Sequence, residues 1–316
     1  MTNKIYIAVF FVAAALIITL VTGVGPGPAL ADSANYIIEA EDVPALMNAE
    51  NTVLVDMQDE EQYLEGHIEG AVNIMRSEIV VNSPYPNLLA PPDQVEAVLG
   101  RAGIDNQTTV LIYDDSNNME AARLWWTMKV YGHENVHVVS GGFEVLKAVG
   151  LQLSTEPPAV EEKTYIAGDI NTNYIATIED IEEQLNNPRE DVILLDTRSL
   201  EEFNSGTIPG SIHVEYLFNN FPDGRYKTVQ HILVDYKGKG ITADNHTIIY
   251  CAVSVRGAQT FLALYNAGYR NLSLYDAAWV EYIDKYPPEC DEEAEDTGEA
   301  VEEVEEEVEE IEAPGG

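Results

Sequence analysis

The chain has 316 residues, enough for two ordinary domains, and a globular composition in which 46% of residues are hydrophobic. Its 55 acidic side chains outnumber 16 basic ones, giving a formal net charge of −39. A surface of that sign repels nucleic acid and anionic membranes, argues against either as a partner of the folded domains, and suits solubility in a salty or crowded setting.

The first residues do not belong to the fold. Lys4 precedes the apolar run "IYIAVFFVAAALIITLVTGV" (5–24), "GPGP" interrupts it, and Ala29 to Ala31 form a small-x-small cleavage site before Asp32. Residues 1–31 read as the signal peptide of an exported protein, which would place it in a periplasm, outside the cell or at its surface. The run also has the length of a bilayer span, so an uncleaved N-terminal anchor, with its membrane contact, is the other reading.

Residues 36–150 alternate short β-branched runs with amphipathic stretches. "TVLVD", "TTVLIYD" and "VHVVS" are apolar on both faces and predict buried parallel strands. "MEAARLWWTMKVYG" predicts a helix with Trp125 and Trp126 in the core and Arg123 as a structural ion-pair partner. The linker at 151–165 carries "STEPPAVEEK". Residues 166–288 then repeat what came before: "VLVDMQDEEQYLEGHIEGAVNI" (53–74) aligns without a gap on "ILLDTRSLEEFNSGTIPGSIHV" (193–214). "VLIYDD" matches "TIIYCA", and "YGHENVHVVSGGFEVL" matches "AGYRNLSLYDAAWVEY". The chain therefore holds two copies of one α/β domain, a parallel sheet covered by helices.

In the second copy the strand "HTIIYC" delivers Cys251 to a turn that closes on Arg256, and "RGAQTFLALYNAGY" continues as a helix ending at Gly268. A short loop entering a helix turns several N–H groups inward and adds the helix's positive partial charge, which makes an anion cradle. Such a cradle favours the thiolate of a cysteine at its first position. Arg256 adds a fork of donors for an anionic substrate, and the set suits displacement through a covalent intermediate on sulfur. Ala252, Val253, Ser254 and Val255 line this cradle with their amides.

The repeated block with Asp196, Arg198, Glu201, Phe203, Gly206, Ile208, Pro209 and Gly210, followed by "YCAVSVRGAQ" and "LYDAAWVEY", resembles the rhodanese family. The tandem over 36–288 is similar to that family's two-domain sulfurtransferases. The resemblance implies two rhodanese-like domains, each a five-stranded parallel sheet with helices on both faces. It implies transfer of a sulfane sulfur from thiosulfate or a similar donor, through a Cys251 persulfide, to cyanide or a thiol. Arg256 and residues 252–255 would bind the substrate, with Arg198 behind them. The four residues between Cys251 and Arg256 match the sulfurtransferase loop; the related phosphatases use five. Ser254 stands where the family carries glycine, its hydroxyl available either to the turn or to the substrate. Ala277-Ala278 replaces Gly-Ser before Trp279, a packing change.

The first copy has Asp114 at the place of Cys251, Met119 at that of Arg256 in an ungapped comparison, and Gln58 at that of Arg198. It is expected to be inactive and to wall the cleft. No metal or cofactor is expected: no cysteine cluster accompanies the 6 histidines, and His67 reads as structural. Residues 289–316 form an acidic tail with 14 acids and no base from Asp291 to Glu312. That tail reads as disordered, or as a helix that docks a partner protein through the seam of Val301, Val304, Val308 and Ile311. Cys290 at its edge reads as incidental. The rival to an enzyme is a persulfide carrier that hands sulfur to such a partner.

Overall fold

The computed structural model describes residues 35–287. The N-terminal apolar run, Cys290 and the acidic tail lie outside them. In the first half the strands are β1 (Ile37–Glu39), β2 (Thr52–Asp56), β3 (Val72–Asn73), β4 (Thr109–Tyr113) and β5 (Val136–Ser140). They form one parallel sheet in the order β1-β5-β4-β2-β3. In the second half β6 (Ile175–Ala176), β7 (Val192–Asp196), β8 (Ile212–His213), β9 (His246–Tyr250) and β10 (Leu272–Tyr275) give the same parallel order, β6-β10-β9-β7-β8. The two-domain α/β architecture implied by the resemblance is the one observed.

Alternation along each central strand explains the layering. Val110 and Ile112 of β4 face one hydrophobic cluster, whereas Leu111 and Tyr113 face another. In β9, Ile249 points into the first of these clusters, while Ile248 and Tyr250 point into a third. One face of each sheet therefore joins a core common to both halves, and the opposite face has a core of its own. The helices α1 (Glu60–Glu65), α2 (Pro92–Arg101), α3 (Met119–Val130) and α4 (Gly142–Ala148) accompany the first sheet. Their counterparts are α5 (Ile178–Asn186), α6 (Leu200–Ser205), α7 (Val229–Gly238), α8 (Val255–Asn266) and α9 (Ala278–Lys285). Both faces of each sheet carry helices: α2, α3, α7 and α8 pack into the shared core, α4 into the first half's own core, and α5 and α9 into the second's.

The common core is built on α3 against α8. From Ala121 to Val130 every residue of α3 is buried, as a helix covered on all sides requires. Trp125 and Trp126 lie wholly inside; the Trp125 ring meets Tyr265 at 5.6 Å and Phe261 at 6.3 Å between centroids. Asn266, at the end of α8, accepts hydrogen bonds from the Tyr36 and Ile37 amides at 2.8 and 3.3 Å, tying β1 to the second half. Gly268 takes φ +97°, the left-handed turn that ends α8.

Candidate active site

β9 runs up the middle of the second sheet and ends at Tyr250, so Cys251 begins the crossover at the carboxyl edge, where open parallel sheets place their ligands. The loop is short because α8 starts at Val255, and Ser254 makes the turn at φ +62°. A left-handed residue with a Cβ costs about 1–2 kcal/mol relative to glycine. The Ser254 hydroxyl reaches the Val253 carbonyl at 2.7 Å and the Asp276 carboxylate at 3.2 Å, and it accepts from Arg123 Nη1 at 2.9 Å. The hydroxyl thus serves the turn, and only the Ser254 amide remains for a substrate. Val255 is buried as the first residue of α8, so it too offers backbone alone. Cys251 is 1% exposed. The thiol lies beneath the loop, with Ala252 and Val253 partly exposed beside it.

The first half displays the same loop with a ligand of its own making. Asp114 follows β4 as Cys251 follows β9, and its carbonyl accepts from Phe143 at 2.8 Å just as that of Cys251 accepts from Trp279 at 3.0 Å. The Asp114 carboxylate is curled into the loop. Oδ1 accepts from the amides of Ser116 and Asn118 at 3.1 and 2.9 Å, and Oδ2 from those of Glu120 and Ala121 at 2.8 and 3.0 Å. Burial pushes this carboxyl up and the four amides pull it back. All four partners are donors, the set an ionised carboxylate uses.

Helix starts correct the ungapped comparison. α3 begins at Met119 after left-handed Asn118, and α8 begins at Val255 after left-handed Ser254. Glu120, not Met119, therefore occupies the place of Arg256, and the first loop is one residue longer. Its extra residue is taken up by a second left-handed position, Asn117 at φ +57°. Glu120 pairs with Arg76, and burial raises its carboxyl to about 7.

Two expectations for arginines change. Arg256 is not an open clamp: its guanidinium holds both oxygens of Glu202, Nη1 to Oε2 at 2.6 Å and Nη2 to Oε1 at 2.8 Å. That pairing drives the Glu202 carboxyl down to about 2. The hydrogen bonds to Glu202 come first in holding Arg256 charged, and the nearby Cys251 favours the charged form as well. Arg198 is committed to groups of its own domain. Its Nε and Nη2 grip Asp196, with the shortest contact at 2.6 Å, and Nη2 also reaches the Gly206 carbonyl at 2.6 Å. Its guanidinium carbon lies 4.2 Å from the centroid of the Trp279 ring, and the side chain is 3% exposed. Arg198 fastens its own motif.

Sequence reasoning missed Glu202 and singled out its neighbour Glu201, which is exposed. The spacing Ser199-x-x-Glu202 is a capping box, and Glu202 does accept from the Ser199 amide at 3.0 Å; that signal was legible. The first half also reaches into the site. Arg123, wholly buried in α3, donates to Ser254, to Asp276 Oδ1 at 2.9 Å and to the Asn87 carbonyl at 2.8 Å. Leu89 adds its amide to Asp276 Oδ2 at 2.7 Å. His67 is buried, stacked on Tyr63 and bonded to its carbonyl, a structural residue.

Comparison with known proteins agrees with this geometry. The family model described as a rhodanese-like domain matches residues 39–148 and 177–285. A putative thiosulfate sulfurtransferase of Haloferax volcanii is 30% identical over 240 residues, 71% of this chain and 82% of that protein. A probable 3-mercaptopyruvate sulfurtransferase of Schizosaccharomyces pombe is 29% identical over 74% of this chain and 87% of its own length. The crystal structure of SseA from Escherichia coli, described as showing the rhodanese fold of 3-mercaptopyruvate sulfotransferases, superposes with a TM-score of 0.69 at 25% identity, covering 78% of this chain and 99% of SseA. With two matched domains covering more than half of the chain, and a cysteine at the head of the second domain's strand-to-helix loop, the chain belongs to the rhodanese family.

Proposed function

We propose that the protein is a sulfurtransferase that carries a sulfane sulfur on Cys251. The observation that carries this reading is the Asp114 carboxylate, held by four amides in the first half. It supports an anion receptor of the same kind in the second half, where the amides of Val253, Ser254, Arg256 and Gly257 stand at the corresponding positions. In cysteine Sγ takes the place of the aspartate's carboxyl carbon, so a second sulfur attached to Sγ would extend to where the carboxylate oxygens lie.

The Cys251 thiolate attacks the outer sulfur of thiosulfate; a sulfur–sulfur bond forms at Cys251, the donor's own breaks, and sulfite leaves with the electron pair. The terminal sulfur of the persulfide is then an anion at the centre of the cradle, stabilised by fixed dipoles. A cyanide or thiolate acceptor attacks that sulfur and the Cys251 thiolate departs, which restores the starting state. The buried thiol favours small donors and acceptors over handover to a partner protein. N-terminal sequencing of the mature chain checks the export reading, which rests on the apolar run and the Ala29–Ala31 site.

Incubation with thiosulfate is expected to add the mass of one sulfur, and Cys251→Ser to abolish both that gain and turnover with cyanide. A serine variant that still turns over would end the proposal.

A further inference from the structure

Every arginine that meets the loop or its support already holds a carboxylate. Arg123 holds Asp276, Arg198 holds Asp196, and Arg256 holds Glu202 through two hydrogen bonds. The residues between Cys251 and Arg256 bring no further cation. What remains positive at the thiol is the ring of amides and the start of α8, equivalent to roughly half an elementary charge. Such a site suits a donor carrying one negative charge better than a dianion.

The first half supplies a natural comparison. Gln62 occupies the place of Glu202 in the gapless repeat, and it turns its amide to Asp115 at 2.8 Å. The position tolerates glutamine in this fold, and glutamine preserves the capping box that Glu202 forms with Ser199. Because Arg256 holds the Glu202 carboxyl down at about 2, the pair stays ionised throughout the neutral range, and pH alone does not free the guanidinium.

We infer that Glu202 sets the charge of the sulfur donor: by occupying Arg256 it selects against dianionic thiosulfate in favour of singly charged donors with a sulfinate-type leaving group. This rests on the sulfur-transfer reading above. For methanethiosulfonate the step balances as it does for thiosulfate. The Cys251 thiolate bonds to the outer sulfur, the donor's sulfur–sulfur bond breaks, and methanesulfinate leaves with the electron pair and one negative charge.

The test compares kcat/KM for thiosulfate and methanethiosulfonate in the full chain, in Glu202→Gln and in Glu201→Gln, with sulfur loading of Cys251 followed by mass. Glu202→Gln is expected to raise the thiosulfate-to-methanethiosulfonate ratio about tenfold, mainly through a lower KM for thiosulfate, since it releases a two-pronged charged donor. Glu201→Gln removes the same charge one residue away, outside contact with Arg256, and leaves the ratio within twofold. A ratio that stays within twofold in Glu202→Gln, or that moves equally in both variants, overturns the inference while loading of Cys251 keeps the sulfur-transfer reading. Failure of both donors to load Cys251 in all three proteins overturns that reading and the inference with it.

Discussion

The two halves are one loop written with opposite charges. In the second, a thiol heads the cradle, an arginine closes it and a glutamate from α6 holds the arginine. In the first, an aspartate fills the cradle, a glutamate stands at the closing position and Arg76, from a different segment, holds the glutamate. The motif one strand over diverged in parallel: Asp196 is gripped by Arg198, whereas Asp56 has only Gln58 and the Tyr113 hydroxyl. Burial without a cation raises the Asp56 carboxyl to about 6. The backbone kept its geometry while the polar groups were exchanged. In the first half the strand–loop–helix unit thus holds an anion on four amides, and the second half builds the same kind of unit behind a cysteine.

Breaking the contact that crosses between halves has the largest expected effect on stability. Arg123→Ala leaves Asp276 buried without its cation and frees the Ser254 turn; about 3–5 kcal/mol is expected to be lost in denaturant unfolding, with a fall in kcat. Lysine cannot restore it, because one ammonium does not span Ser254, Asp276 and the Asn87 carbonyl in a planar fork.

Asp56→Asn sharpens the contrast between the two motifs. A carboxyl at about 6 in the fold and near 3.8 unfolded favours folding below about pH 4 and loses that contribution as pH rises through 6. At pH 7 the variant is expected to be more stable by at most about 3 kcal/mol, with a flatter stability profile between pH 4 and 6. An unchanged profile would show that Asp56 ionises without penalty.

Asp114→Ala empties the first cradle. A loss of about 2 kcal/mol is expected, partly restored by sulfate but not by chloride at equal ionic strength, because four amides regain an anion. Smallest is Ala278→Gly. Ala278 sits at φ +59°, where the first half has Gly142 at the same angle, and the exchange should stabilise by about 1 kcal/mol or less.

The central strands, the long helices and the duplication were legible because five-residue apolar runs and a gapless repeat leave strong periodic signals. Val72–Asn73, Ile175–Ala176 and Ile212–His213 were not, since two-residue edge strands are fixed by their neighbours rather than by pattern. Cys251 was readable from the end of β9. The added residue in the first loop was hidden because two consecutive left-handed asparagines absorb it without shifting strand or helix. The pairing of Arg256 with Glu202 depends on how α6 is rotated, and Glu201 and Glu202 are chemically identical in a string of letters. Burial of the thiol is likewise set by the way the loop folds over it.

The mutual embrace of α3 and α8 bears on why the first copy persists. A helix with no polar side cannot stand in water, so cutting the chain at residues 151–165 should yield a nicked molecule whose pieces stay together until both melt in a single transition. The first half has Asp114 where the second has Cys251, yet the second half cannot shed it.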